Sequence, residues 1–185
     1  MTESTDLSPP EREEFLRTAW LSHDARWYAA AVEELGPAIA NRLNRRAIRA
    51  AAAVEARRLH RAIGMEPVDS VSSFLKFAEF GRDLVVGDKV ELATEELDEH
   101  TYRATVTRCF AADQITRAGL TGTYECGIFD RIQGWHEGLG VPLTGDVPTT
   151  LCLLANGEAC TRTLTIAEPT LQNTSSDSTL STTKD

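Results

Sequence analysis

The sequence predicts an α+β fold in which N-terminal helices pack on a C-terminal antiparallel sheet with interspersed helices. Three observations carry this. Helical spacing of apolar residues dominates before Gly87, β-type alternation broken by turns and one helix dominates after it, and all four cysteines lie in the second half. A chain of 185 residues with 42% hydrophobic content is long enough for one real core. The expected organisation is a flexible stretch over 1–9, one domain over 10–167 (helical over 10–86, α+β over 87–167) and a disordered tail over 168–185, where Thr, Ser, Asp and Asn dominate.

The elements follow in order. Pro9-Pro10 followed by Glu11, Glu13 and Glu14 reads as a helix start, with acidic residues where the dipole favours them. A first helix over Pro10 to Leu21 is expected to turn Phe15, Ala19 and Trp20 to the core. Ser22 or Asp24 then caps a second, which runs to Leu35 and presents Trp27, Tyr28, Ala31, Val32 and Leu35. Gly36-Pro37 interrupts. An alanine-rich helix spans Ala38 to Ile63 and stops at Gly64, and a weaker one covers Ser70 to Phe80. Residues 88–93 and 101–108 alternate as two strands, Asp113 to Gly119 is a short helical turn, and Gly127 to Gly138 is a helix with Ile128, Ile132, Trp135 and Leu139 on one stripe. A final hairpin is expected to pair Pro148–Leu154 with Ala159–Ala167.

Charge and missing motifs exclude several classes. A net charge of −9 argues against nucleic acid or an anionic membrane as partner, and no apolar run approaches the ~18 residues of a membrane helix. The polar, acidic start Met1-Thr2-Glu3-Ser4-Thr5-Asp6 has no apolar region of a secretory signal, so a soluble cytoplasmic protein with reduced thiols is expected. There is no GxGxxG, Walker loop, HExxH or GxSxG, which removes nucleotide-dependent, zincin and serine-hydrolase readings. Arg42, Arg45, Arg46 and Arg49 share a helix face. That face is either solvated and paired with acidic neighbours, or turns one or two arginines inward for a carboxylate-bearing ligand.

Cys109, Cys126, Cys152 and Cys160 admit three readings: a tetrahedral metal cage, two disulfides, or unrelated core thiols. The last pair straddles the turn Ala155-Asn156-Gly157-Glu158, and Cys126 stands at a helix start, where the dipole is expected to lower its pKa.

Arg108-Cys109, Arg117-Ala118-Gly119-Leu120, Tyr124-Glu125-Cys126-Gly127, Gly134-Trp135 and the segment from Cys152 to Cys160 resemble the L-2-amino-thiazoline-4-carboxylic acid hydrolase family and its uncharacterised bacterial relatives. His23-Asp24-Ala25-Arg26-Trp27-Tyr28, Glu34-Leu35-Gly36 and Ala40-Asn41-Arg42-Leu43-Asn44 are similar to the helical N-terminal part of the same group. The C-terminal portion is also similar to the vinyl-4-reductase-type ligand-binding domain, in which cysteines around a helix and a final hairpin hold zinc. This resemblance implies a cysteine-bound Zn²⁺ at Cys109, Cys126, Cys152 and Cys160, with Glu125 and Glu137 as substitutes for Cys109. Four thiolates make a poor Lewis acid, which favours a structural over a catalytic zinc.

The family resemblance implies a hydrolase acting on a C–N bond of a small carboxylated heterocycle or amide; the alternative is a non-catalytic, zinc-stabilised, sensor-like small-molecule-binding domain. A third reading is a homo-oligomeric scaffold built on the long helices. The catalytic candidates are Asp24, His23 and His136, and the substrate-binding candidates are Trp27, Asn41, Asn44 and Trp135. Asp24 beside an aromatic wall suits general acid–base work, against its simpler role as a helix cap. Asn41 and Asn44 suit the polar edge of a ligand, against exposure to solvent. His136, next to an expected core Trp135, is placed at the core edge or in solvent.

Overall fold

The computed structural model describes residues 6–167. The expected tail over 168–185 and the first five residues lie outside the described residues. Among the described residues, five α-helices and a three-stranded antiparallel sheet make up the α+β fold. Helix α1 (Pro9–Leu35) is a single helix of 27 residues, which corrects the expectation of two. No Gly or Pro stands between Glu11 and Leu35 to stop it, so Ser22 and Asp24 are interior residues and cap nothing. Its start is secured where the Ser8 N–H and hydroxyl donate to the Glu11 carboxylate at 2.8 and 2.6 Å. The buried stripe of α1 is Leu21, Tyr28 and Ala31. Phe15 and Trp20, expected in the core, are 65% and 40% exposed, and Ala19 is exposed as well. The first turns of α1 are held to residues 84–89 mainly by polar contacts, Arg17 Nε to the Leu84 carbonyl at 3.3 Å and Lys89 to Glu14 at 2.8 Å.

Gly36, at φ 77°, turns the chain into helix α2 (Pro37–Ile63), which ends at Gly64 in the left-handed conformation. Helix α3 (Val71–Val85) is capped by Ser70 and runs five residues beyond its expected end. Strand β1 (Val90–Glu96) pairs with β2 (Thr101–Cys109), and β2 runs directly into helix α4 (Phe110–Arg117). Helix α5 (Ile128–Leu139) follows, and strand β3 (Cys160–Thr165) takes the free edge of β2, with Val106 opposite Cys160 and Thr101 opposite Thr165. The final hairpin is therefore a correction. Residues 148–154 make only an isolated bridge, Glu125 with Leu151, because Pro148 lacks a donor and Leu154–Asn156 coil into a 3₁₀ turn. Among the described residues no helix is long and apolar enough to cross a membrane.

The core lies between α3, the sheet and α5. Phe74 and Phe77 of α3, Tyr102 and Val106 of β2, and Trp135 of α5 are all at most 4% exposed. Helix α5 lies along α2 at a separation set by glycine. A Cβ on Gly134 would stand 2.4 Å from the Arg49 carbonyl oxygen and 2.8 Å from Ala52 Cβ. One on Gly138 would stand 2.5 Å from the Ala53 carbonyl oxygen and 2.9 Å from Ala56 Cβ. Ala52 and Ala56 are fully buried beneath them. A methyl group cannot enter either contact without separating the helices. Gly134→Ala is expected to lower unfolding free energy by about 3 kcal/mol. Gly122→Ala, where nothing lies within 4 Å of the added carbon, should stay within about 0.5 kcal/mol of the parent, both read by urea denaturation.

Candidate functional site

A cavity of about 370 Å³ opens between the middle of α1, the first half of α2, α4 and the start of α5. Ile48, Phe110, Ile115, Leu120 and Ile128 give it an apolar wall. Its polar groups come from four helices: Asp24 and Arg26 line it from α1, Asn44 from α2, Gln114 from α4 and Arg131 from α5.

Asp24 is half-buried, and desolvation raises its carboxyl pKa above the ordinary carboxylate value against the opposing pull of Arg131 and His23. A carboxyl whose pKa is raised by burial is a candidate for general acid–base work. Asn44 is 4% exposed and lines the cavity, and among the described residues its amide has no hydrogen-bond partner. Asn41, one turn earlier, is fully engaged. Its Oδ1 accepts from Tyr28 Oη at 2.7 Å and from the Glu125 N–H at 3.1 Å, and its Nδ2 donates to the Thr123 carbonyl at 2.6 Å. Asn41 thus ties the loop before α5 to α1 and α2, leaving ligand contact to Asn44. Neither asparagine is solvent-exposed.

Other candidates fall elsewhere. His23 is exposed, and Trp27 is 43% exposed and outside the cavity wall. Trp135 is a core residue whose indole N–H donates to Glu55 Oε1 at 2.6 Å. His136, expected at the core edge or in solvent, is completely buried. Its ring stacks on Phe74 at 3.5 Å between centroids, Nδ1–H donates to the Val141 carbonyl at 2.9 Å, and Nε2 accepts from Tyr102 Oη at 2.8 Å. Burial pushes its pKa down to about 4, so it is a neutral bridge between α5 and the sheet and stands apart from the cavity.

The arginine face of α2 divides. Arg42 and Arg46 are exposed. Arg45 turns inward and grips Asp130 with Nε at 2.8 Å and Nη2 at 3.2 Å, and reaches Glu125 at 3.3 Å. Arg49 pairs with Glu137 and, at 3.1 Å, with Asp146. The inward arginines hold protein carboxylates. The same contacts engage Glu125 and Glu137, the substitutes considered for a fourth metal ligand.

The four cysteines are free thiols, and three are buried. They share one neighbourhood, since the charge of each bears on the titration of others: Cys109 feels Cys152 and Cys160, and Cys126 feels all three. N–H groups of Ala111 and Ala112 face the Cys109 sulfur, and that of Ile128 faces Cys126. Burial nevertheless outweighs these donors. It pushes the Cys109 thiol up to about 11 and the Cys126 thiol up to about 12, reversing the lowering expected at the start of α5. Among the described residues no group of three or more His, Cys, Asp or Glu side chains is arranged to hold a metal ion. The donor set suits zinc in its chemistry, but the side chains do not form a closed cage around it.

The model of the L-2-amino-thiazoline-4-carboxylic acid hydrolase family matches residues 16–160. The chain belongs to this family. The match runs from the first half of α1 to the start of β3 and so takes in the whole cavity wall. No curated protein and no solved structure matches the chain, and similarity to the vinyl-4-reductase-type domain is not shown.

Sequence reasoning missed Arg131. The signal was there: a charged residue one turn after Gly127 on the helix that carries the apolar stripe of Ile128 and Ile132. The buried His136 yields a test of pH. Unfolded chains take up its proton near 6.5 and the folded protein only near 4, so stability is complete above 6.5 and falls as pH drops from 6.5 to 4. By linkage the loss reaches about 3 kcal/mol, and a Tyr102→Phe, His136→Phe double variant should lack this component when chemical denaturation is compared across the window.

Proposed function

We propose that this family member hydrolyses a C–N bond of a small carboxylated heterocycle or amide in the cavity between α1, α2, α4 and α5, with Asp24 as general acid–base. The single observation that carries this reading is a half-buried carboxyl with a raised pKa on the wall of a mostly apolar cavity. In its ionised form Asp24 takes a proton from water as the oxygen adds to the carbon of the C–N bond; once protonated, it returns that proton to the departing nitrogen. The apolar wall limits competing water, and Asn44 orients the substrate through its amide. His23, Trp27, His136 and Trp135 have no part in this scheme, given their positions outside the cavity wall.

The second reading, a non-catalytic binding domain, is favoured by the apolar majority of that wall. Turnover distinguishes the two. Asp24→Asn is expected to reduce hydrolysis of L-2-amino-thiazoline-4-carboxylate by about 10²-fold or more with the thermal midpoint retained, as measured by product formation. Absence of hydrolysis by the parent protein, together with retained ligand binding, would leave the binding domain as the better reading.

Zinc belongs to the same proposal. Cys109, Cys126, Cys152 and Cys160 are the residues that would hold it, and its role would be structural, fastening β3 and the segment around Cys152 to the start of α5. Burial pushes the Cys109 and Cys126 thiols up to about 11 and about 12, so binding must displace protons and should tighten as pH rises. Elemental mass spectrometry is expected to find about one zinc per chain, reduced in Cys109→Ser; zinc-free parent protein would remove this part of the proposal.

A further inference from the structure

Arg131 is the cation best placed to meet a ligand in the cavity. Its side chain is 11% exposed, and among the described residues the guanidinium makes one hydrogen bond, from Nη1 to Glu55 Oε2 at 2.6 Å. Its Cζ lies 5.1 Å from the centroid of the Trp20 ring, which holds the plane in place. Glu55 is itself fixed on its other oxygen by the Trp135 indole. The fork is thus braced from two sides, and among the described residues its Nε and Nη2 donors have no acceptor. Arg26, the other arginine on the wall, is exposed and bonds to Ser22 within its own helix.

At the other end of the same wall is Asn44, buried and unpartnered. Gly127 packs beside it and leaves room for Ile48: a Cβ there would stand 2.5 Å from Ile48 Cδ1, and 3.7 Å, an ordinary contact, from Asn44 Nδ2. Gly127 and Arg131 are four residues apart on consecutive turns, roughly 6 Å along the axis. The space between is lined by Ile48 and Ile128. A cavity of about 370 Å³ is in the range of drug-sized ligands and exceeds what one five-membered ring fills.

From this arrangement we infer that the ligand is a monocarboxylate with an apolar ring body larger than a bare thiazoline. Arg131 Nε and Nη2 receive its carboxylate, and Asn44 reads a polar group at the far side of the ring. The inference deepens the proposed function and rests on the same cavity, but it concerns recognition and stands whether or not Asp24 performs chemistry. Arg131 is on this account the residue that selects anionic over neutral ligands.

The test compares 2-naphthoate with its neutral isostere 2-naphthamide by titration calorimetry on the full chain. The parent protein is expected to bind 2-naphthoate about tenfold or more tightly than 2-naphthamide. An Arg131→Gln, Glu55→Gln double variant, which avoids stranding the Glu55 carboxylate, should bind both probes alike, with its 2-naphthamide affinity unchanged. Asn44→Ala should keep the carboxylate preference. Asp24→Asn should also keep it even if hydrolysis is lost or never observed, which separates failure of the catalytic reading from failure of this one. Equal affinities in the parent, no binding of either probe, or a carboxylate preference that survives in the folded double variant would overturn the inference. The parent comparison decides by itself if the double variant does not fold.

Discussion

Helices α2 and α5 meet through Gly134 and Gly138 seated on Ala52 and Ala56, and this contact sets the position of nearly every other functional group. Small residues contribute little buried area individually. Their effect is geometric, since they bring two backbones close enough to fix both the rotation and the register of α5. With that register fixed, Asp130 falls opposite Arg45, Glu137 opposite Arg49, and Arg131 and Trp135 both reach Glu55. His136 is turned the other way, onto Phe74 and Tyr102, and joins the helix pair to the sheet. One contact thereby places a neutral buried bridge on one side of α5 and an ion-paired seam on the other.

The seam explains why an arginine-rich helix in an acidic protein leaves so little free positive charge at the cavity. Arg45 and Arg49 meet carboxylates from α5 and from the loops before and after it, and a partly buried charge needs such a partner. Arg131 differs in that, among the described residues, it hydrogen-bonds to one carboxylate, which it shares with an indole, so part of its donor capacity remains. Asp24, which lines the same cavity, is held back from ionising by burial more strongly than the Arg131 charge encourages it. The wall thus combines a desolvated carboxyl and a guanidinium with unused donors in mostly apolar surroundings, where electrostatic interactions are less screened than in water.

The thiol neighbourhood and the cavity share a wall. Tyr124 packs edge-on against Tyr28 at 5.1 Å and lines the cavity, while Cys126 two residues on faces the other thiols. Asn41 bonds to Thr123 and Glu125 in the same strip. Any ordering of the cysteine segments therefore bears on the cavity through Tyr124–Gly127. Exposed Phe15 and Leu16 near the N-terminal end of α1 stand away from both.

How much of this was legible in the sequence varied with the range of the interaction. The α+β class, the breaks at Gly36 and Gly64, strands β1 and β2 and helix α5 came from local chemistry: Gly and Pro restrict φ, and apolar spacing of two or about 3.6 residues marks a buried face. Asp24 and Asn44 were also recognised as polar groups worth placing. The sequence could not decide that His136 is buried, because a neutral histidine is tolerated in a core only if both ring nitrogens find partners. Those partners, Tyr102 and Val141, are supplied by another element and by the following loop. It could not separate Asn41, bonded on three sides, from Asn44, bonded on none, nor Arg45 from Arg131. Nor could it choose the partner of β3, which passes over residues 148–154 for the free edge of β2. By itself the sequence determined which residues can be helical, extended or turning, because those preferences act within a few bonds. Only the tertiary structure decided which polar groups are satisfied and which are left facing the cavity, because a buried hydrogen bond or ion pair depends on what the rest of the chain brings within about 3 Å.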